Sequence, residues 1–146
     1  MFDRINPFKS IIDGEIMIEL NSRKEVEVID MTPHVEEAVK ESRIEQGICL
    51  IYSLHTTTGI VVNEAEPGLI QDMTKLMASL APQGAGYHHD RNGGNAHAHL
   101  QAMLLGNSAV IPVEGKRLIL GTWQKILFVE LDGPRHRKVC VKLIKE

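Results

Sequence analysis

What this chain lacks narrows its class before any motif is read. No apolar run approaches the roughly 18 to 20 residues needed to cross a bilayer. The start, MFDRINPFKSIIDGE, has no long apolar stretch of the kind a secretory signal carries. A soluble, cytoplasmic protein without a membrane partner is the expectation. Charge of one sign is not in large excess, since 16 Lys and Arg against 19 Asp and Glu leave a net charge of -3. Aromatic residues make up only 4% of the chain and interleave with no basic stripe, so nucleic acid is not an expected partner. There are two cysteines, Cys49 in GICLIYSL and Cys140 in KVCVKLI. Both stand inside apolar segments, where a free thiol packs as a small hydrophobe, and no disulfide framework is indicated.

What is there fits one globular domain over residues 1–146, with 43% hydrophobic and 24% charged residues. EIMIELN (15–21) and EVEVID (25–30) alternate charged and apolar residues, the pattern of strands with one face on a core. Asn21 to Lys24 reads as a hairpin turn between them. Thr32 followed by Pro33 reads as a helix N-cap, and Val35, Ala38 and Val39 give a helical stripe over 33–43. GICLIYSL (47–54) and GIVVNE (59–64) read as strands, and Pro67 opens a second helix. There Leu69, Ile70, Met73, Leu76, Met77 and Leu80 share one face and are expected in the core. Glycines 84, 86, 93 and 94 mark a loop; Asn95 is a candidate N-cap for a third helix that ends at Gly106. Strands are predicted at 108–113, 116–120, 125–131 and 138–144, with Glu114-Gly115 as a two-residue hairpin turn and Asp132-Gly133-Pro134 as a corner. Strands cluster at both ends and helices in the middle, so the predicted class is α+β with a largely antiparallel sheet.

Four of the seven histidines fall in one stretch, YHHDRNGGNAHAHL (87–100). A catalytic zinc site takes three protein ligands and an open position. Residues two apart on a helix lie about 200° apart around its axis, so His97 and His99 cannot serve one site together. Adjacent residues in an extended loop point to opposite sides, which separates His88 from His89. One histidine of each pair is then available, and His55, at the carboxyl end of a strand, is the natural third. His34 and His136 read as surface residues. Asp90, Glu64 and Glu66 are the carboxylates placed to orient an imidazole or act as a general base. A solvated, chemically idle loop is the alternative, because H-H-x7-H-x-H matches no standard zinc spacing.

A second candidate is an anion pocket. HTTTG offers hydroxyls and backbone N–H groups at a bend. GTW (121–123) interrupts two strand-like runs with a glycine and can form a nest of N–H donors. Arg91, Lys116, Arg135 and Arg137 are candidate charges.

Several of these stretches together resemble the YjbQ-like family, described as secondary thiamine-phosphate synthases. They are HTTTGIVVNE before a Pro-initiated helix, YHHD, NAHAHL and SAVIPVEGKRLILGTWQKI, followed by LF-x-ELDGPR, and the likeness runs from about residue 12 to 145. The resemblance implies a compact α+β fold assembled as a homotrimer with clefts at subunit interfaces. It implies a weak or secondary activity that joins hydroxymethylpyrimidine diphosphate to a thiazole phosphate with release of pyrophosphate. The family's motif histidines correspond to His55, His89 and His99, the candidate ligands of a divalent metal, zinc or magnesium. On this reading His55, Glu64 and His99 are catalytic, and Thr56, Thr57, Asn63, Gly121, Thr122 and Arg135 bind a small phosphorylated substrate. Glu130 is a base or the partner of Arg135. The alternatives are a metal-dependent hydrolase of a small phosphorylated or amide substrate and a non-catalytic trimer that binds a metabolite or metal.

Overall fold

The structure is a computed structural model that describes residues 5–12 and 15–146, the first segment by its backbone alone; residues 1–4 and 13–14 of the expected domain lie outside it. The strands are β1 (Ile5–Ile12), β2 (Glu15–Asn21), β3 (Glu27–Asp30), β4 (Gln46–Ser53), β5 (Thr58–Asn63), β6 (Ser108–Glu114), β7 (Arg117–Leu118), β8 (Lys125–Glu130) and β9 (His136–Lys145). The α-helices are α1 (Thr32–Ser42), α2 (Pro67–Leu80) and α3 (Ala96–Leu105), and a 3-10 helix spans His88–Asn92. All described pairings are antiparallel and form a six-stranded sheet, β1-β2-β9-β4-β6-β7, and a three-stranded sheet, β3-β8-β5. The α+β class is therefore as expected.

Alternation along the strands decides where the core lies. Ile16, Ile18 and Leu20 of β2, Cys49 and Ile51 of β4, and Val139, Val141 and Leu143 of β9 are buried and meet Ile60, Ile126 and Phe128 of the smaller sheet. Met31, Val35, Ala38 and Val39 add the inner face of α1 to this cluster. The other face of the small sheet is covered too: Val129 and Leu131 pack with Ala98 and Ala102 of α3 and with Met73 of α2. Strand β8 is thus buried on both sides, which is why its sequence, KILFVE, reads as a continuous apolar run rather than an alternation. Gly59 lets α3 lie this close to β5, because a Cβ there would stand 2.8 Å from the Leu105 Cβ.

Several local expectations change. The segment after Asn21 is not a hairpin, since β2 and β3 belong to different sheets. Thr32 does not cap α1; its hydroxyl accepts from the Ile126 N–H at 2.8 Å, while Met31 holds the cap position. The tight turn is Gly115-Lys116, one residue later than expected, with φ values of 57° and 63° between the paired residues Glu114 and Arg117. Both positive values fit a hairpin turn of the primed kind. Residues 116–120 shorten to a two-residue strand. On α2 only Met77 is buried, whereas Leu69, Leu76 and Leu80 are exposed. Strand β1 was not anticipated. No helix among the described residues is long and apolar enough to cross a membrane.

Candidate functional site

An open cleft of about 530 Å³ lies where the end of β4, the start of β5 and helix α3 meet. It is lined by His55, Thr56 and Thr58 from the HTTTG segment, His99, Ala102 and Met103 from α3, and Gly106 and Asn107 beyond the helix. Three devices fix α3 at this position. Asp90 Oδ1 accepts from the Ala96 N–H at 3.0 Å, so the cap comes from the histidine loop and not from Asn95. The Asn95 side chain instead donates to Asp132 at 3.1 Å. The Gln101 amide donates to the Ala81 carbonyl at 3.0 Å.

His55 is held by the backbone. Lys138 N–H donates to its Nε2 at 2.8 Å, which extends the β4–β9 ladder by one side chain. That bond occupies the Nε2 lone pair and assigns the ring proton to Nδ1. His55 is thereby a neutral hydrogen-bond donor. Partial burial, and then the positive charge of Arg137, hold its pKa below the ordinary value.

Behind His55 lies a polar cluster that sequence reasoning largely missed. Glu130 is fully buried and Arg137 is 5% exposed. Arg137 donates from Nε at 2.9 Å and from a terminal nitrogen at 2.6 Å to the Glu130 carboxylate, and also to the Thr57 hydroxyl at 2.8 Å. Glu130 further accepts from the Ser22 hydroxyl and from the N–H groups of Leu131 and Asp132. The pair ties β8 to β9 across the gap between the sheets. Glu130 therefore pairs with Arg137, not Arg135; the exposed Arg135 donates to Asp132. Thr57, expected to bind substrate, is buried in this cluster with its hydroxyl accepting from Arg137 and is not on the lining of the cleft. The available signal was a lone carboxylate inside ILFVEL, whose burial requires a cation somewhere in the fold.

Within one chain the expected site residues are divided. His55, His99 and Thr56 share the cleft, and His89 lies edge-on to His99 with ring centroids 4.8 Å apart. His97 points elsewhere, lining a different cavity, as the helical period requires. Asn63 and Glu64 lie at the opposite end of β5, about 17 Å of strand away from Thr58. The Gly121-Thr122 turn is at that far end too, because Asn63 pairs with Lys125 at the start of β8. Its Gly121 N–H donates to Gln124 within the same turn at 2.8 Å. Glu66 caps α2, accepting from Gly68 and Leu69 at 2.7 Å each, and those bonds hold its pKa low. Lys116 pairs with Glu45, and His136 is exposed beside Asn21 and Glu19. Cys49 is buried and its thiol is pushed up to about 12, while Cys140 is half-buried and raised, first by desolvation.

The three histidines do not fit a metal centre built by one chain. No three His, Cys, Asp or Glu among the described residues stand together as a ligand group. The only His55 nitrogen free of a backbone bond carries the proton. What the cleft does offer is a fixed imidazole N–H, a second imidazole, an exposed threonine hydroxyl and the Asn107 side chain, beside the apolar Ala102 and Met103.

Fold and cleft together define an α+β protein of two packed antiparallel sheets with a histidine-lined opening at one end. The family profile described as "UPF0047 protein YjbQ-like" matches residues 16–146. A UPF0047 protein of Archaeoglobus fulgidus is 54% identical over 127 residues, covering 87% of this chain and 98% of its own. The UPF0047 protein YugU of Bacillus subtilis is 39% identical over 131 residues, covering 87% and 96%. The crystal structure of a YbjQ-like protein from Sulfolobus solfataricus superposes with a TM-score of 0.88 at 37% identity, covering 97% of this chain and 99% of that one. This chain belongs to the UPF0047, YjbQ-like family.

Proposed function

We propose that the cleft between HTTTG and α3 is the active site of a thiamine-phosphate synthase-like transferase. In this reaction the thiazole ring nitrogen bonds to the pyrimidine methylene carbon. The carbon–oxygen bond to the diphosphate breaks, and pyrophosphate leaves with the electron pair. The observation that carries the reading is the anchored imidazole: a His55 N–H fixed by the Lys138 bond is a preorganised donor for a departing anionic oxygen. His99 and Thr56 supply further polar groups, and Ala102 and Met103 are apolar surface for the rings. A volume of about 530 Å³ falls within the ordinary range for small-molecule sites. A hydrolase built on a three-histidine metal is less favoured, because one chain does not assemble that ligand set. A magnesium ion accompanying the diphosphate needs no protein histidines, since magnesium prefers oxygen ligands.

The same reading includes a homo-oligomer, a trimer by resemblance. Leu100, Met103 and Leu104 are exposed apolar residues of α3, and Met103, 78% exposed, stands on the cleft itself. Asn63, Glu64, Gly121 and Thr122 reach such a cleft only from another copy. The test supplies purified protein with hydroxymethylpyrimidine diphosphate, thiazole phosphate and magnesium and follows thiamine phosphate. Product that falls at least about tenfold in both His55→Ala and His99→Ala is expected. Product formation unchanged in both variants, or none from the unmodified protein, would sink the assignment.

A further inference from the structure

His97 lies two residues from His99 but belongs to a separate, partly open cavity of about 230 Å³, bordered by α2, α3 and the outer face of the three-stranded sheet. Only 9% of His97 is exposed, and its Nδ1 has neither a hydrogen-bond partner nor contact with solvent. An N–H sealed there without an acceptor is costlier than an under-used lone pair, so the ring proton belongs on Nε2. Nε2 is then the polar atom through which His97 meets whatever fills the cavity. Gln101 follows one helical turn later and lies on the same face of α3. Its amide nitrogen is fixed on the Ala81 carbonyl, which turns Oε1 into an oriented acceptor. His97 and Gln101 thus give the cavity a donor and an acceptor on side chains that are more than nine-tenths buried, while Thr74, Gln83 and Glu25 are the other polar residues on its lining.

The rest of the wall sets the class of occupant. Met73 and Met77 from α2 face Val129 and Leu131 from the sheet, so the interior is mainly apolar. Glu25 is the charged residue on the lining and disfavours an anion. A cavity of about 150 Å³ accommodates benzene, so this one holds a single ring with a small substituent. We infer that this second cavity is a binding site for a small, uncharged, planar molecule whose edge presents an acceptor to His97 and a donor to Gln101. The phosphorylated substrates of the cleft are excluded from it by charge.

2-Pyridone carries that edge, N-methyl-2-pyridone lacks the donor, and toluene lacks both groups. The full chain, with its methionine methyls observed by NMR, is titrated with each. The expected result is that 2-pyridone shifts the Met73 and Met77 methyls and binds about tenfold more tightly than N-methyl-2-pyridone, the discrimination one neutral hydrogen bond supplies, and more tightly still than toluene. His97→Phe should weaken 2-pyridone and N-methyl-2-pyridone alike, which lowers the preference over toluene and keeps that over N-methyl-2-pyridone, while toluene still binds. Equal binding of the three probes to the unmodified chain, or shifts at Met103 of the cleft without shifts at Met73 and Met77, would overturn the inference. The comparison among probes uses the unmodified protein, so it stands even if His97→Phe does not fold.

Discussion

Replacing Arg137 by Met tests whether the two sheets are joined by a charge pair rather than by apolar contact alone. The substitution removes two bonds to Glu130, at 2.9 and 2.6 Å, and one to Thr57, at 2.8 Å, and leaves a fully buried carboxylate without its cation. Breaking one side of a buried pair costs about 3–5 kcal/mol. The Ser22 hydroxyl and two backbone N–H groups still solvate Glu130, so the lower end, about 3 kcal/mol, is expected. With a urea slope of about 1–3 kcal/mol/M, that moves the unfolding midpoint by about 1–3 M. Glu130→Met should be similarly costly, because it strands a buried guanidinium. The double replacement removes both charges and should return to within about 1 kcal/mol of the original, since apolar residues of similar volume often substitute for such a pair without loss. Equilibrium urea curves of the four proteins give the coupling directly. A single replacement that costs less than about 1 kcal/mol, or a double no more stable than either single, would refute the reasoning.

The anchored imidazole and the seat of the third helix are testable in the same way. His55 should titrate by NMR with a midpoint below the ordinary 6.5, because burial and Arg137 both disfavour its charged form. Since the folded value is the lower one, the unfolded chain takes the proton more readily. This contribution to stability is complete above about 6.5 and is lost as pH falls through the lowered value, when Nε2 can no longer accept from Lys138. A midpoint at or above 6.5 would show that the Lys138 bond does not hold the ring neutral. Gly59→Ala should destabilise the chain by about 1–3 kcal/mol and shift the His99 ring resonances, because the added methyl would stand 2.8 Å from the Leu105 Cβ. Unchanged stability and unchanged His99 signals would mean that α3 is not seated on β5 as described.

The elements were legible in the sequence to the extent that local chemistry alone decides them. Alternation located β2 and β3, Pro67 and Gly106 bounded helices, and the two-residue spacing of His97 and His99 was enough to send them to different places. The errors arose where distant contacts decide. Thr32 looks like a cap until Ile126, ninety-four residues away in sequence, takes its hydroxyl. Asn21 to Lys24 looks like a hairpin because nothing local says that the next strand joins another sheet. The site divided along the same line. His55, Thr56 and His99 sit on segments whose ends meet, whereas Glu64 follows the far end of β5 and Thr122 precedes β8 at that same end. Arg137 was hidden among three neighbouring basic residues, and only burial distinguishes it from Arg135.

Helix α3 also limits how this chain can change. Its side chains serve two cavities on different sides, and its ends are tied down by Asp90 at the start and by the Gly106 turn at the finish, where the Gly106 N–H donates to the Ala102 carbonyl. A point substitution on one side alters one cavity and spares the other. Gain or loss of a single residue within the helix turns everything beyond it by about 100°. That rotation takes His99 off the cleft or Gln101 off the Ala81 carbonyl, and both when it falls before His99. The two cavities can therefore be retuned independently in composition, but they share one fixed length.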